Sequence, residues 1–147
     1  MRSKANRRRR GSSGFTLIEI MVVVVIIGLL AAIVAPNFMS NIDTAQINAA
    51  KQEIRTIETS LNLFRLDNFR YPTTEEGLDA LVRSPGGNIQ ATWKQYLPRL
   101  GTDPWNNPYQ YENPGTRGGG DFDLYSFGRD GQDGGEGLDS DIGNWDL

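Results

Sequence analysis

The sequence predicts an α+β protein: one long N-terminal helix whose first half is apolar, then a few short strands and a glycine-rich, acidic C-terminal stretch. Three patterns predict it. Residues 15–35 form a run of 21 with a single charge, Glu19. Beyond Pro36 apolar residues return every three or four positions as far as Phe64, the period of a helix with one covered face. Residues 109–112 place Tyr109 and Tyr111 in alternation, and residues 122–127 place Phe122 and Leu124 on one face. Between these two short strands lies a loop, 113–120, with Pro114 and four glycines.

Charge is distributed unevenly. The 147 residues carry 15 basic and 18 acidic groups, a net charge of −3. Six of the basic groups, Arg2, Lys4 and Arg7 to Arg10, precede Gly14, which leaves 9 against 18 in the remainder. A basic flank ahead of an apolar span holds the N-terminus on the cytoplasmic side and places the rest across the membrane. The adjoining span and the acidic remainder argue against nucleic acid as the partner of this basic run. There is no cysteine, so no disulfide staples the fold, and no histidine, the usual metal-binding and acid–base side chain. The roughly 110 residues after Pro36 are enough for one modest core.

Taken in order, a helix over 15–35 rises about 30 Å, the thickness of a bilayer's hydrocarbon core. A carboxylate in such a span is expensive, on the order of 2.5–3.5 kcal/mol at mid-membrane, so Glu19 calls for a partner. Past Pro36 the helix continues for about eight turns. Phe38, Ile42, Ala45 and Ala49 form one stripe and, after a one-residue shift, Ala50, Ile54, Ile57, Leu61 and Phe64 form the next. Gly28 and Pro36 are expected to bend or loosen this helix of roughly 50 residues. It fades at Leu66-Asp67-Asn68, and Tyr71-Pro72 forces an extended turn. Thr73 with Glu76 is a capping box for a short helix that buries Leu78, Leu81 and Val82 and stops at Ser84-Pro85-Gly86-Gly87. In Asp103-Pro104-Trp105-Asn106-Asn107-Pro108, Pro104 presets a turn in which Asn106 or Asn107 takes the left-handed conformation.

Residues 121–147 hold eight acidic groups and one basic group among glycines. Composition alone reads as a solvated tail. The interleaved Phe127, Leu138, Ile142 and Trp145 argue instead for a packed loop. Packing would crowd Asp130, Asp133, Glu136, Asp139 and Asp141 and call for a counter-cation. Calcium suits such a loop, since it takes six to eight oxygens from carboxylates and backbone carbonyls in flexible geometry. The spacing is not that of an EF-hand.

The order of basic leader, Gly14, Phe15 and Glu19, opening directly into the span, resembles the class III signal of type IV pilins and of type II secretion pseudopilins. A secretory signal would be cut on the far side of the span after a small-x-small pattern, which Ile33-Val34-Ala35-Pro36 matches poorly. Three further stretches, Y-P-T-T-E-E-G-L at 71–78, D-P-W-N-N-P-Y at 103–109 and D-I-G-N-W at 141–145, closely resemble the major pseudopilins of type II secretion. That family more often has glycine where Asn106 stands. Type IV major pilins, the alternative, typically close a C-terminal loop with a disulfide.

The resemblance implies a pilin-like fold, with the N-terminal helix packed on a small antiparallel sheet, and no enzymatic role. It implies a leader, 1–14, removed by the prepilin peptidase between Gly14 and Phe15, with N-methylation of Phe15. Residues 15–36 would be the membrane and assembly segment. Residues 37–147 would be a periplasmic domain on a single-pass inner-membrane anchor. Glu19 would serve assembly of a helical homo-oligomer, facing the new amine of Phe15 in a neighbouring subunit. Implied partners are minor pseudopilins, the inner-membrane secretion platform and, before assembly, lipid; nucleic acid is not among them. The implied calcium ligands are the carboxylates of Asp130, Asp139 and Asp141 with the backbone carbonyls of Phe127 and Gln132. Asp133 and Glu136 lie where loop length varies in the family.

A membrane-tethered, monomeric calcium-binding module is the other binding-class reading; Glu19 separates the two, since a plain tether is better without it. For an enzyme, a carboxylate pair such as Asp121 and Asp123 lacks any evident nucleophile, base or phosphate loop beside it.

Overall fold

The computed structural model describes residues 14–147; the side chains of residues 35–40 lie outside that description. The basic leader, and with it the charge rule for orientation, falls on residues outside the described ones. Helix α1 covers Leu17–Asn68, 52 residues, and its assignment runs through both Gly28 and Pro36. The Leu17–Val34 portion is long and apolar enough to cross a membrane, and none of it is buried against the rest of the chain. Two compact units divide between Ser40 and Asn41.

In the second unit, α1 supplies the core stripe. Ala50, Ile54, Ile57, Leu61 and Phe64 are fully buried, and each large member stabilises the fold by about 1.5–3 kcal/mol. The preceding stripe behaves differently. Ile42 is 56% exposed and Ala45 and Ala49 are also exposed, while Phe38 lies outside the described side chains. The one-residue shift in the pattern marks where coverage begins, with Ile47 partly buried against the core. Helix α1 ends on a side-chain cap and a left-handed residue. The Asn68 amide donates to the Phe64 carbonyl at 2.9 Å, and Phe69, at φ +59°, donates its N–H to the Arg65 carbonyl at 2.7 Å.

The capping box at Thr73 forms as expected: its N–H donates to Glu76 at 2.8 Å and the Glu76 N–H donates to its hydroxyl at 3.2 Å. Arg70 forks onto the same carboxylate at 2.6 and 2.7 Å, which holds the Glu76 carboxyl below its usual range. The next element is a 3-10 turn, Leu78–Leu81, in place of an α-helix. Gly77, at φ +59°, interrupts the chain between the box and the turn. Leu78 and Leu81 are buried as expected and Val82 is half-buried.

The sheet has three antiparallel strands in the order β1-β2-β3: Gln110–Glu112, Asp123–Ser126 and Ile142–Gly143. Tyr111 faces Leu124 across the first ladder, and Ser126 faces Ile142 across the second. Strands 1 and 2 fall where the alternation places them, the first shortened by Tyr109 and the second by one residue at each end. The third strand is not legible in the sequence, because two residues carry no alternation. Tyr111, Phe122, Leu124 and Ile142 join the α1 stripe in one core. The residue that turns left-handed ahead of β1 is Asn106, at φ +73°. Asparagine tolerates that region well, so the turn survives without glycine. Asp103 fastens it, accepting the N–H groups of Trp105 at 3.0 Å and Asn107 at 2.7 Å, with the Ser126 hydroxyl at 2.5 Å.

Candidate functional site

At the N-terminus, Thr16 and Glu19 form a second capping box. The Thr16 N–H donates to Glu19 Oε2 at 2.8 Å, and the Glu19 N–H donates to Thr16 Oγ1 at 3.3 Å. The pattern T-x-x-E in Thr16-Leu17-Ile18-Glu19 is the sequence signal for it, hidden behind the requirement for a charged partner. The box offsets part of the cost of this carboxylate, because the first turn of a helix presents unpaired N–H groups and positive dipole. Phe15 is exposed, and a side chain placed at Gly14 would meet nothing within 4 Å. The fold therefore does not require glycine there.

The acidic loop has a defined backbone, since it ends in β3 and closes on itself through the Arg129 N–H to the Leu138 carbonyl at 2.9 Å and the Asp141 N–H to the Gly134 carbonyl at 3.1 Å, while most of its side chains stay exposed. Asp130 Oδ1 accepts the Gln132 N–H at 3.1 Å. Asp139 is gripped by Arg129 at 2.8 and 3.0 Å. Asp141 accepts the Gly134 N–H at 3.1 Å and pairs with Arg117 at 2.8 Å, while Arg117 also reaches Asp133 at 2.6 Å. Burial pushes the Asp141 carboxyl up, whereas the Arg117 guanidinium holds Asp133 below the usual carboxylate range. Phe127 packs edge-on against Tyr125, with ring centres 5.3 Å apart. Gly128, at φ +71°, lets the backbone close on the Leu138 and Ser140 carbonyls; a Cβ there would stand 2.8 and 2.7 Å from their oxygens. Among the described residues no three acidic side chains stand close enough together to hold one ion. The loop offers donors of the type calcium takes, but its carboxylates are spread apart and not gathered on one point. Carboxylates and backbone carbonyls, all oxygen donors, share one folded loop, and guanidinium groups stand in as cations on Asp139 and Asp141.

The remaining carboxylate pair separates into two structural roles. Asp121 pairs at the surface with Arg65 at 3.0 Å. Asp123 is fully buried and accepts the N–H groups of Thr116 and Arg117 at 2.6 Å each and of Gly118 at 3.1 Å. Burial alone would raise the Asp123 carboxyl, but these three donors together with Arg117 outweigh it and hold it below the usual range. Sequence reasoning missed this anchor, whose one clue is a strand acidic residue facing a glycine-rich loop.

An apolar helix long enough to cross a membrane, with a capped carboxylate in its first turn and a distal half covered by a small antiparallel sheet, defines a pilin-like protein. The comparisons with known proteins make this specific. The family model described as type II secretion system (T2SS), protein G, matches residues 37–145, and the prokaryotic N-terminal methylation motif matches residues 9–35. The chain is 56% identical to the type II secretion system core protein G of Pseudomonas aeruginosa, over 95% of this chain and 99% of that one. It is 45% identical to that of Vibrio cholerae, over 96% and 97%. A crystal structure of the major pseudopilin from the type 2 secretion system of enterohaemorrhagic Escherichia coli superposes with a TM-score of 0.64. That protein is 43% identical, and the match covers 76% of this chain and 96% of the other. The chain belongs to the type II secretion protein G family, the major pseudopilins.

Proposed function

We propose that this chain is the major structural subunit of a type II secretion pseudopilus. The prepilin peptidase removes 1–14, leaving Phe15 to be methylated, and 15–36 hold the subunit singly in the inner membrane. Residues 37–147 then lie in the periplasm. Subunits pass from lipid into a helical filament with minor pseudopilins on the inner-membrane platform, and the filament drives export of folded proteins. The observation that carries the reading is Glu19. Its carboxylate is exposed at the start of an apolar span and is capped by the Thr16 N–H, in a protein of this family. The α-amine created at Phe15 is the cation that would complete it, within one helix or between staggered subunits. Producing the chain with its secretion machinery and imaging sheared surface material by electron microscopy tests this. Filaments containing the chain are expected; membrane-bound monomer alone would contradict it.

We also propose that the acidic loop binds one calcium ion through Asp130, Asp139 and Asp141 with carbonyls of Phe127 and Gln132. Support comes from the all-oxygen donor set within a single folded loop. A cation that binds only the folded loop stabilises it by mass action, about 2.7 kcal/mol at a hundredfold excess over its dissociation constant. Melting of the detergent-solubilised chain, read by the fluorescence of Trp93, Trp105 and Trp145, is expected to shift up with calcium and down with chelator. Magnesium is expected to substitute poorly, because it demands a tighter octahedral shell and keeps its waters. Identical melting with calcium and with chelator would overturn the calcium reading.

A further inference from the structure

Two apolar surfaces carried by α1 beyond its span are exposed in the single chain. At the far end, Leu66 is 71% and Phe69 91% exposed, with Leu63 also exposed on the last turns. Phe69 holds φ +59°, a region that glycine or asparagine enters more readily than an aromatic residue, so the turn itself does not call for phenylalanine. The charges near this knob are paired within the chain: Arg65 with Asp121, Lys94 with Asp67 and Arg70 with Glu76. What it offers a partner is apolar. At the start of the same compact unit, Ile42, Ala45 and Ala49 form the exposed stripe, and its two small side chains leave a shallow trough beside Ile42.

Knob and trough cannot meet within one molecule. Helix α1 runs without a break from Leu17 to Asn68, which keeps Ala45 about 36 Å from Phe69. The knob is also small. It offers on the order of a few hundred Å², against about 800 Å² per partner in a stable interface, so a partner arriving from solution would need more. Copies anchored in one membrane by the Leu17–Val34 span meet at high effective concentration, where a small contact suffices. We propose that Phe69 and Leu66 of one copy seat on the Ile42, Ala45 and Ala49 stripe of a parallel second copy, displaced along the helix axis by roughly 36 Å. Each copy carries the two surfaces at different places, so the contact is head-to-tail and continues from copy to copy instead of closing into a dimer. The inference rests on the filament reading above and assigns two surfaces by which copies recognise each other beyond the apolar span.

The chain has no cysteine, so pairwise cross-linking of the full chain, in cells carrying the secretion machinery, tests the contact directly. Phe69→Cys with Ala45→Cys in one chain is expected to give a ladder of linked copies with a thiol-specific cross-linker. Phe69→Cys with Arg83→Cys, exposed outside the stripe, is expected to stay unlinked. Phe69→Asn keeps the left-handed turn. Its melting is expected to match the native chain while filament mass falls roughly tenfold, the loss of one aromatic anchor. Linked pairs from Phe69→Cys alone would show a symmetric contact and overturn the inference. Links to a different protein, or equal ladders from both double variants, would overturn it as well. Filaments that form without links between positions 69 and 45, or undiminished in Phe69→Asn, would overturn it and leave the filament reading standing. No filaments from the native chain would remove the filament reading, and this contact with it.

Discussion

Glu19→Val is expected to insert into the membrane as well as the native chain, or better, and to form no filaments. A carboxylate costs on the order of 2.5–3.5 kcal/mol at the centre of a membrane span and less toward its end, where Glu19 lies, so valine relieves insertion by less than that. What valine cannot do is attract the Phe15 amine of a neighbouring subunit. Glu19→Gln separates this from helix capping. Glutamine still serves as the third residue of a capping box with Thr16, so the first turn stays intact while the charge is lost. Both variants are expected to fractionate with membranes, give no surface filaments and abolish secretion. Normal filaments from Glu19→Gln would show that the cap, not the charge, is what assembly uses.

Asp123→Ala is expected to produce the largest loss of stability of any single acidic-residue substitution in the domain. Three backbone N–H groups, at Thr116, Arg117 and Gly118, converge on this buried carboxylate. Alanine leaves them without an acceptor, which costs on the order of 3–5 kcal/mol, against about 1 kcal/mol for a typical substitution. For a domain of about 100 residues that lowers the melting temperature by roughly 15 °C or more. The pH dependence has a definite sign. The folded carboxyl is depressed, so its contribution is present above the unfolded value near 3.9 and is lost as pH falls through the folded value. Asp123→Asn is expected to flatten that part of the acid limb below about pH 4. Wild-type melting in either variant would show that the N–H groups find other acceptors.

The helix, its covered stripe and two of the three strands are legible in the sequence because each rests on a repeating pattern. A period near 3.6 from Ala50 to Phe64 and the alternation of Tyr109 and Tyr111 are statements about faces, and those faces are the buried ones. The stripe from Ile42 to Ala49 has the same period but is exposed in the single chain. Periodicity identifies an apolar face without saying whether its cover comes from the same molecule. The 3-10 turn at Leu78 passes for a helix in sequence because the capping box is real and the interruption at Gly77 is conformational. The strand at Ile142, the Asp103–Ser126 bond and the Arg117–Asp141 pair join residues far apart in sequence. Asp123 and Arg117 are closer along the chain, and they meet because the 113–120 loop folds back on β2. Candidate calcium ligands can be suggested by residue type, whereas the arginines that pair with Asp139 and Asp141 cannot.

The N-terminal residue of the mature protein decides the central claim most directly. Mass spectrometry of the chain extracted from membranes of cells carrying the secretion machinery is expected to find a species that begins at Phe15 with one added N-methyl group. A chain that still begins at Met1, or one cut beyond Ala35 with the span removed, would contradict its assignment as a pseudopilus subunit.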